Sequence, residues 1–169
     1  MNRKPIPDKS IAFSYVLTDT PLGRLGLHFT SKGLAALTFA AEEAAAADAS
    51  PPPELAAWVE IIKRAVDGYF QGRVPDLSSL PLDLRGTSFQ LRVWQELRKI
   101  PWGWTISYKE LAARAGSPKG FRAVGRANGA NPIPLIIPCH RVINANGALG
   151  GFSSGLHRKK WLLEHEKAI

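Results

Sequence analysis

Cysteine is nearly absent from the 169 residues: there is one, Cys139. A single thiol cannot close an internal disulfide or supply a zinc site built on several thiolates, and such usage fits a reducing compartment. Long apolar runs are missing as well. No stretch approaches the ~20 residues needed to span a bilayer. Basic Arg3 and Lys4 have no apolar segment behind them, so the N-terminus does not read as a secretory signal. These absences point to a cytoplasmic protein with no membrane partner. Acidic residues are scarce in one half only. Residues 85–169 hold 4 Asp and Glu against 14 Lys and Arg, a balance of +10, whereas residues 1–84 hold 10 against 8. The whole net charge of +8 therefore sits on the second half. That half calls for a polyanionic partner such as nucleic acid or an anionic surface, unless the charge serves solubility alone.

What is present is ordinary in amount and informative in order. A hydrophobic share of 45% suits a globular chain of one or two small domains. Ile11, Phe13, Tyr15 and Leu17 alternate as in a half-buried strand. Leu25, Leu27 and Phe29 resume the alternation, and residues 34–39 give a third strand, so the start reads as an antiparallel meander. His28 falls within it as a structural residue. Residues 40–53, Ala-rich and ending in prolines, read as a loop feeding a helix. Leu55, Trp58, Val59, Ile62, Ala65, Val66 and Tyr69 then recur at helical spacing, with Gly72 after the last turn. Residues 71–86, rich in proline, glycine and serine, mark a boundary where the charge also changes sign.

The second half reads as helical. Thr87 and Gln90 have capping-box spacing ahead of the stripe Phe89, Val93, Leu97 and Ile100, which Pro101 stops. Trp102 and Trp104 in the following connector read as core. Ser107 and Glu110 form a second capping box for a short helix through Arg114. Ser117 and Pro118 supply a cap and first-turn proline for a third helix, with Phe121, Val124 and Ala127 inward. That third helix carries Lys119, Arg122 and Arg126. Two short helices joined by a tight turn fit either a helix-turn-helix or a plain helical hairpin. The expected fold class is α+β, with a small N-terminal antiparallel sheet and a helix, then a mainly helical domain containing the helix-turn-helix. The domains expected are 1–86, linker included, and 87–169.

Chemistry concentrates in residues 131–143, where prolines bracket the apolar run 135–137 and deliver Cys139-His140-Arg141. A lone cysteine is often a small buried hydrophobe. Beside an imidazole and a guanidinium it is equally a candidate thiolate, the soft nucleophile suited to a saturated carbon. Pro138-Cys139-His140-Arg141-Val142 resembles the active-site signature of the O6-alkylguanine-DNA alkyltransferases, the methylated-DNA–protein-cysteine methyltransferases. The similarity continues through residues 103–108, Arg122-Ala123-Val124-Gly125, Asn131-Pro132 and residues 161–166, covering nearly all of 87–167. Residues 1–86 resemble the family's ribonuclease-H-like domain in layout only.

The resemblance implies direct-reversal DNA repair. The alkyl group of O6-alkylguanine, or of O4-alkylthymine, moves irreversibly to Cys139 after nucleotide flipping, once per molecule. It implies His140 as base through a bridging water, Glu166 as the group orienting the imidazole, and Tyr108 as proton donor to the departing guanine. Asn131 would fix the turn into the active-site segment. Arg122 would fill the gap left by the flipped base, with Arg126 and Lys119 on phosphate. The base pocket would comprise Tyr108, Val142, Phe152 and Ser153, with the carbonyls of Cys139 and Val142. The partner implied is double-stranded DNA, taken by a monomer, with no cofactor and no metal. Read without the family, Tyr108 is core, Glu166 a surface carboxylate in the last helix, and residues 150–155 a flexible loop. Residues 157–160, His-Arg-Lys-Lys, either touch phosphate or form a solvated basic face. The chain departs from many members at Gly129-Ala130, where a basic residue is common, and at Phe152, where tyrosine is common. Two rivals remain: a non-catalytic sensor of alkylated guanine, whose relatives carry tryptophan at the cysteine position, and a thiol hydrolase, which would turn over.

Overall fold

The computed structural model describes residues 10–39, 50–74 and 79–169. The chain divides into two compact units between Leu84 and Arg85. The expectation for the N-terminal eight residues and most of the loop at 40–53 lie outside the described residues.

In the first unit, β1 (Phe13–Leu17), β2 (Leu25–Thr30) and β3 (Gly33–Phe39) form an antiparallel meander in the order β1-β2-β3. Phe13 pairs with Phe29 and Leu17 with Leu25, so the alternation seen in the sequence registers across the sheet. A bulge between His28 and Phe29 shifts the β2–β3 register. His28 bonds to Ser14 Oγ at 2.9 Å and Thr38 Oγ1 at 3.0 Å, tying the three strands together as a structural residue. The helix α1 (Pro53–Phe70) opens with proline in its first turn and buries Leu55, Val59, Ile62, Val66 and Tyr69. The boundary segment is more ordered than its composition suggests. Leu34 N donates to Pro81 O and Asp83 N to Leu34 O, both at 2.8 Å, so residues 81–83 lie alongside β3. Gly33 permits this approach, because a Cβ there would strike the Pro81 carbonyl.

In the second unit, α2 (Ser88–Arg98) begins with the full reciprocal capping box of Thr87 and Gln90. Val93, Trp94, Leu97 and Ile100 are buried, and the Trp94 indole donates to Ala127 O at 2.9 Å, fastening α2 to α4 (Phe121–Gly129). A two-residue parallel pairing of β4 (Ile106–Ser107) and β5 (Val142–Ile143) ties the start of α3 (Tyr108–Arg114) to the active-site segment. The last helix, α5 (Leu156–His165), ends with Lys167 at φ 55° and Ala168 N bonded to Leu163 O, the geometry of a left-handed C-terminal cap.

Four local expectations need correction. Only half of the second capping box forms: Ser107 accepts from Glu110 N, but the Glu110 carboxylate turns to Arg114 at 2.5 Å. The third helix starts at Phe121 with Gly120 as its cap, so Ser117, Pro118 and Lys119 make a turn and Lys119 precedes the helix. Phe121, expected inward, is 52% exposed, because as the first helical residue it has no turn before it to pack against. Trp104, read as core, is 67% exposed in the connector.

Candidate active site

The path into the site is fixed by one side chain. Asn131 Oδ1 accepts from Ile133 N at 3.0 Å, and its amide donates to Ile137 O at 2.7 Å, bridging the proline-bracketed run. Within that bridge Leu135 adopts φ 78°, a left-handed conformation that costs a non-glycine residue about 1–2 kcal/mol. Burial of Ile133, Leu135, Ile136 and Ile137 holds it there. Cys139–Arg141 then forms a 3-10 turn in which all three side chains are buried, and Cys139 keeps 4% of its surface open.

His140 Nε2 lies 2.8 Å from Glu166 Oε1, both residues being essentially inaccessible. Glu166 falls at the C-cap of α5, where the end of the helix turns its carboxylate into the protein rather than onto the surface. Burial alone would raise that carboxyl. Hydrogen bonds from His140 and Arg141 and their charges outweigh it and hold Glu166 at about 2. Burial pushes His140 below the usual imidazole range, with Glu166 opposing. An ionised carboxylate only accepts, so Nε2 carries the imidazole proton and Nδ1 the basic lone pair. Nδ1 is buried and has no hydrogen-bond partner among the described residues.

Arg141 does not act as the sequence suggested. Its Nε donates to Glu166 Oε2 at 2.7 Å, Nη2 to Oε1 at 3.0 Å, and Nη1 to Ile100 O at 2.6 Å. The guanidinium is a bidentate clamp on Glu166, its charge neutralised there, and not a charge committed to the thiol.

Tyr108, at the start of α3, is half-buried and donates weakly to Gly151 O at 3.4 Å. Burial and the charge of Cys139 raise its phenol, against a hydrogen bond to Asn128, so it stays protonated at neutral pH. Gly150, at φ 68°, lets the 150–155 loop lie on the Tyr108 ring; a Cβ there would come to 3.1 Å of it. Phe152 on this loop is half-buried, Ser153 is exposed, and the Val142 side chain is sealed. Lys159 departs from the reading of residues 157–160 as a solvated or phosphate-touching face, whereas His157 and Lys160 are exposed. Lys159 is fully buried, donating to Val142 O at 2.6 Å and Gly151 O at 3.4 Å.

The fold thus brings Cys139, His140, Glu166, Tyr108 and Val142 together, with Asn131 bracing the approach. Arg122 and Arg126 are exposed on α4, and Lys119 is exposed in the turn before it. Lys159 and Asn128 were missed. Asn128 is buried and donates to Cys139 O at 3.4 Å. Helical spacing carried the signal for both. Lys159 stands three and four residues before Leu162 and Leu163, and Asn128 four after Val124, each on a buried stripe.

Fold and site define an α+β protein whose buried thiol sits beside an imidazole oriented by a carboxylate, next to a basic helix pair. Residues 13–84 match the 6-O-methylguanine DNA methyltransferase ribonuclease-like domain, and residues 88–168 match the DNA binding domain of the same family. The chain belongs to the 6-O-methylguanine DNA methyltransferase family. It is 51% identical to a methylated-DNA–protein-cysteine methyltransferase of Mycobacterium leprae over 68% of each chain. A Haemophilus influenzae protein of the same name is 38% identical over 92% of this chain and 87% of its own length. Other curated relatives at 49% to 52% identity are matched over 57% to 62% of their own length. The crystal structure of Mycobacterium tuberculosis OGT in complex with DNA superimposes with a TM-score of 0.77 at 40% identity, covering 93% of this chain and 94% of that one.

Proposed function

We propose that this chain repairs duplex DNA by direct reversal, moving the alkyl group of O6-alkylguanine to Sγ of Cys139 once per molecule. The observation that carries this reading is the buried Cys139-His140 turn, with His140 Nε2 held on Glu166 at 2.8 Å and Nδ1 left basic. The Cys139 proton passes through a water to Nδ1, because adjacent residues in a tight turn cannot easily meet directly. The thiolate attacks the alkyl carbon: an S–C bond forms, the C–O6 bond breaks, and the electron pair leaves on guanine. Tyr108 protonates the departing base and recovers a proton from the His140 side, so the thiol proton ends on guanine. The thioether has no leaving route, so the protein is consumed.

Delivery of the base rests on residues 87–169, with 1–86 as a separate ribonuclease-H-like domain. The base is stacked in a duplex and must be turned out. Arg122, exposed on α4, enters the gap, while Arg126 and Lys119 contact phosphate. The pocket is formed by Tyr108, Val142, Phe152 and Ser153, and Asn131 holds the segment in place. Cys139 O already accepts from Asn128 and from the Val142 N–H, and Val142 O accepts from Lys159, so the base shares these oxygens with the protein's own donors. O4-alkylthymine presents a similar alkylated oxygen, and a duplex carrying it is the second substrate to assay. No described helix is long and apolar enough to cross a membrane, and the protein works as a cytoplasmic monomer without metal or cofactor.

With O6-methylguanine duplex in excess, restored guanine should plateau at one equivalent per protein molecule. Continued turnover would identify a hydrolase, and tight binding without restoration a sensor. Arg122→Ala should slow repair of duplex at least about tenfold, the loss of one good contact to the nucleic acid. It should leave the reaction with free O6-benzylguanine near the native rate, since only the duplex needs base extrusion. Equal losses on both substrates would remove the extrusion role.

A further inference from the structure

The site contains a buried cation that the chemistry above does not use. Lys159 is fully buried on α5, and among the described residues no carboxylate pairs with it. Its Nζ is held by two carbonyls, Val142 O at 2.6 Å and Gly151 O at 3.4 Å, and lies 6.0 Å from the Tyr108 ring centroid. Both carbonyls belong to the walls of the thiol site. Val142 directly follows the Cys139–Arg141 turn, and its own N–H bonds to Cys139 O. Gly151 O is the acceptor that Lys159 shares with the Tyr108 phenol. A lone buried ammonium is costly, and such placements concentrate where a charge is needed.

Elimination identifies the charge it answers. The titratable groups facing this space are Tyr108 from α3, Cys139, His140 and Arg141 from the turn, and Glu166 at the end of α5. Tyr108 is protonated, His140 is neutral, and Arg141 and Glu166 neutralise each other. The cation left over is Lys159, and among the described groups facing it the one that can balance it is the Cys139 thiolate. We propose that Lys159 is a positioning residue that stabilises the Cys139 thiolate as its proton leaves for His140, the part that the sequence had given to Arg141. Burial lowers Lys159 itself to about 8, with the Cys139 charge opposing. Lys159 therefore carries its charge at neutral pH and loses it as pH rises through about 8.

This inference rests on the proposed function for its purpose but is tested without DNA. The ionisation of Cys139 is followed by thiolate ultraviolet absorbance, against Cys139→Ala as blank, and by the pH profile of alkylation by free O6-benzylguanine. Lys159→Met removes charge and donor; Lys159→Gln removes the charge but keeps a donor for Val142 O. Both should raise the Cys139 midpoint by about one to three pH units, the effect of losing a close opposite charge. At neutral pH alkylation should slow about tenfold or more, and it should converge on the native rate at high pH, where every form is a thiolate. A deficit constant across pH, or a Gln variant matching the native protein, would make Lys159 a mere clamp and overturn the proposal. A readout without Lys159 variants covers a failure of these two to fold. By reciprocity, Cys139→Ala should lower the Lys159 midpoint in a side-chain NMR titration, and an unchanged midpoint would overturn the proposal. A native protein that shows these linked ionisations but takes no alkyl group from duplex would sink the repair reading and leave the role of Lys159 intact.

Discussion

Glu166→Ala should destabilise the protein by about 3–5 kcal/mol in urea denaturation, the cost of stripping one partner from a buried ion pair. The carboxylate accepts three bonds from His140 and Arg141 in a site closed to water. Its removal leaves a buried guanidinium with only the Ile100 carbonyl. The depressed pKa leads to a similar figure. A carboxyl held at about 2 against an ordinary 4.5 corresponds to about 3 kcal/mol. Because the folded value is the lower one, this contribution is complete above pH 4.5 and disappears as pH falls towards 2. The native protein should therefore lose stability over that acid window, and Glu166→Gln should flatten the loss. Alkyl transfer by Glu166→Gln should fall about a hundredfold or more at neutral pH, since the base loses its fixed tautomer. A variant with native stability and native rate would show that the His140–Glu166–Arg141 cluster neither braces the fold nor orients the base.

The second large effect is complete. Cys139→Ala should abolish uptake of the alkyl group while leaving affinity for lesion-bearing duplex within a few-fold of native, measured by fluorescence anisotropy. Binding rests on phosphate contacts and on the exposed basic residues of α4 and the turn before it, none of which involves the sulfur. The substitution removes a small buried group and the counter-charge of Lys159, so a modest loss of stability accompanies it. Residual alkyl uptake would mean that another residue is the acceptor. Loss of binding in step with loss of transfer would mean that the sulfur contributes to recognition.

Much of this was legible in the sequence, for identifiable reasons. Strand alternation in residues 13–39 and the Thr87–Gln90 box are local patterns whose physics acts within a few residues, and both appear as the spacing predicts. Cys139 and His140 are neighbours in the chain and needed no folding to be seen together. Glu166 was reachable only through the family resemblance, since 25 residues separate it from Arg141 and its position at the end of a helix looks solvent-facing. Arg141 and Lys159 both depart from their expected parts. Proximity along the chain favoured Arg141 as the partner of the thiol, but the turn carries its guanidinium to Glu166, and the lysine in an apparently solvated basic run supplies the buried cation. Phe121 and Lys119 were misplaced because the helix start was assigned to Pro118, whereas Gly120 delays it.

The chemistry is tested most directly by peptide mass mapping after incubation with an O6-methylguanine duplex. One added CH2 should appear on the peptide containing Cys139, rising with DNA to full occupancy and no further. Restored guanine with an unmodified Cys139, or a methyl group found on any other residue, would contradict transfer to this sulfur.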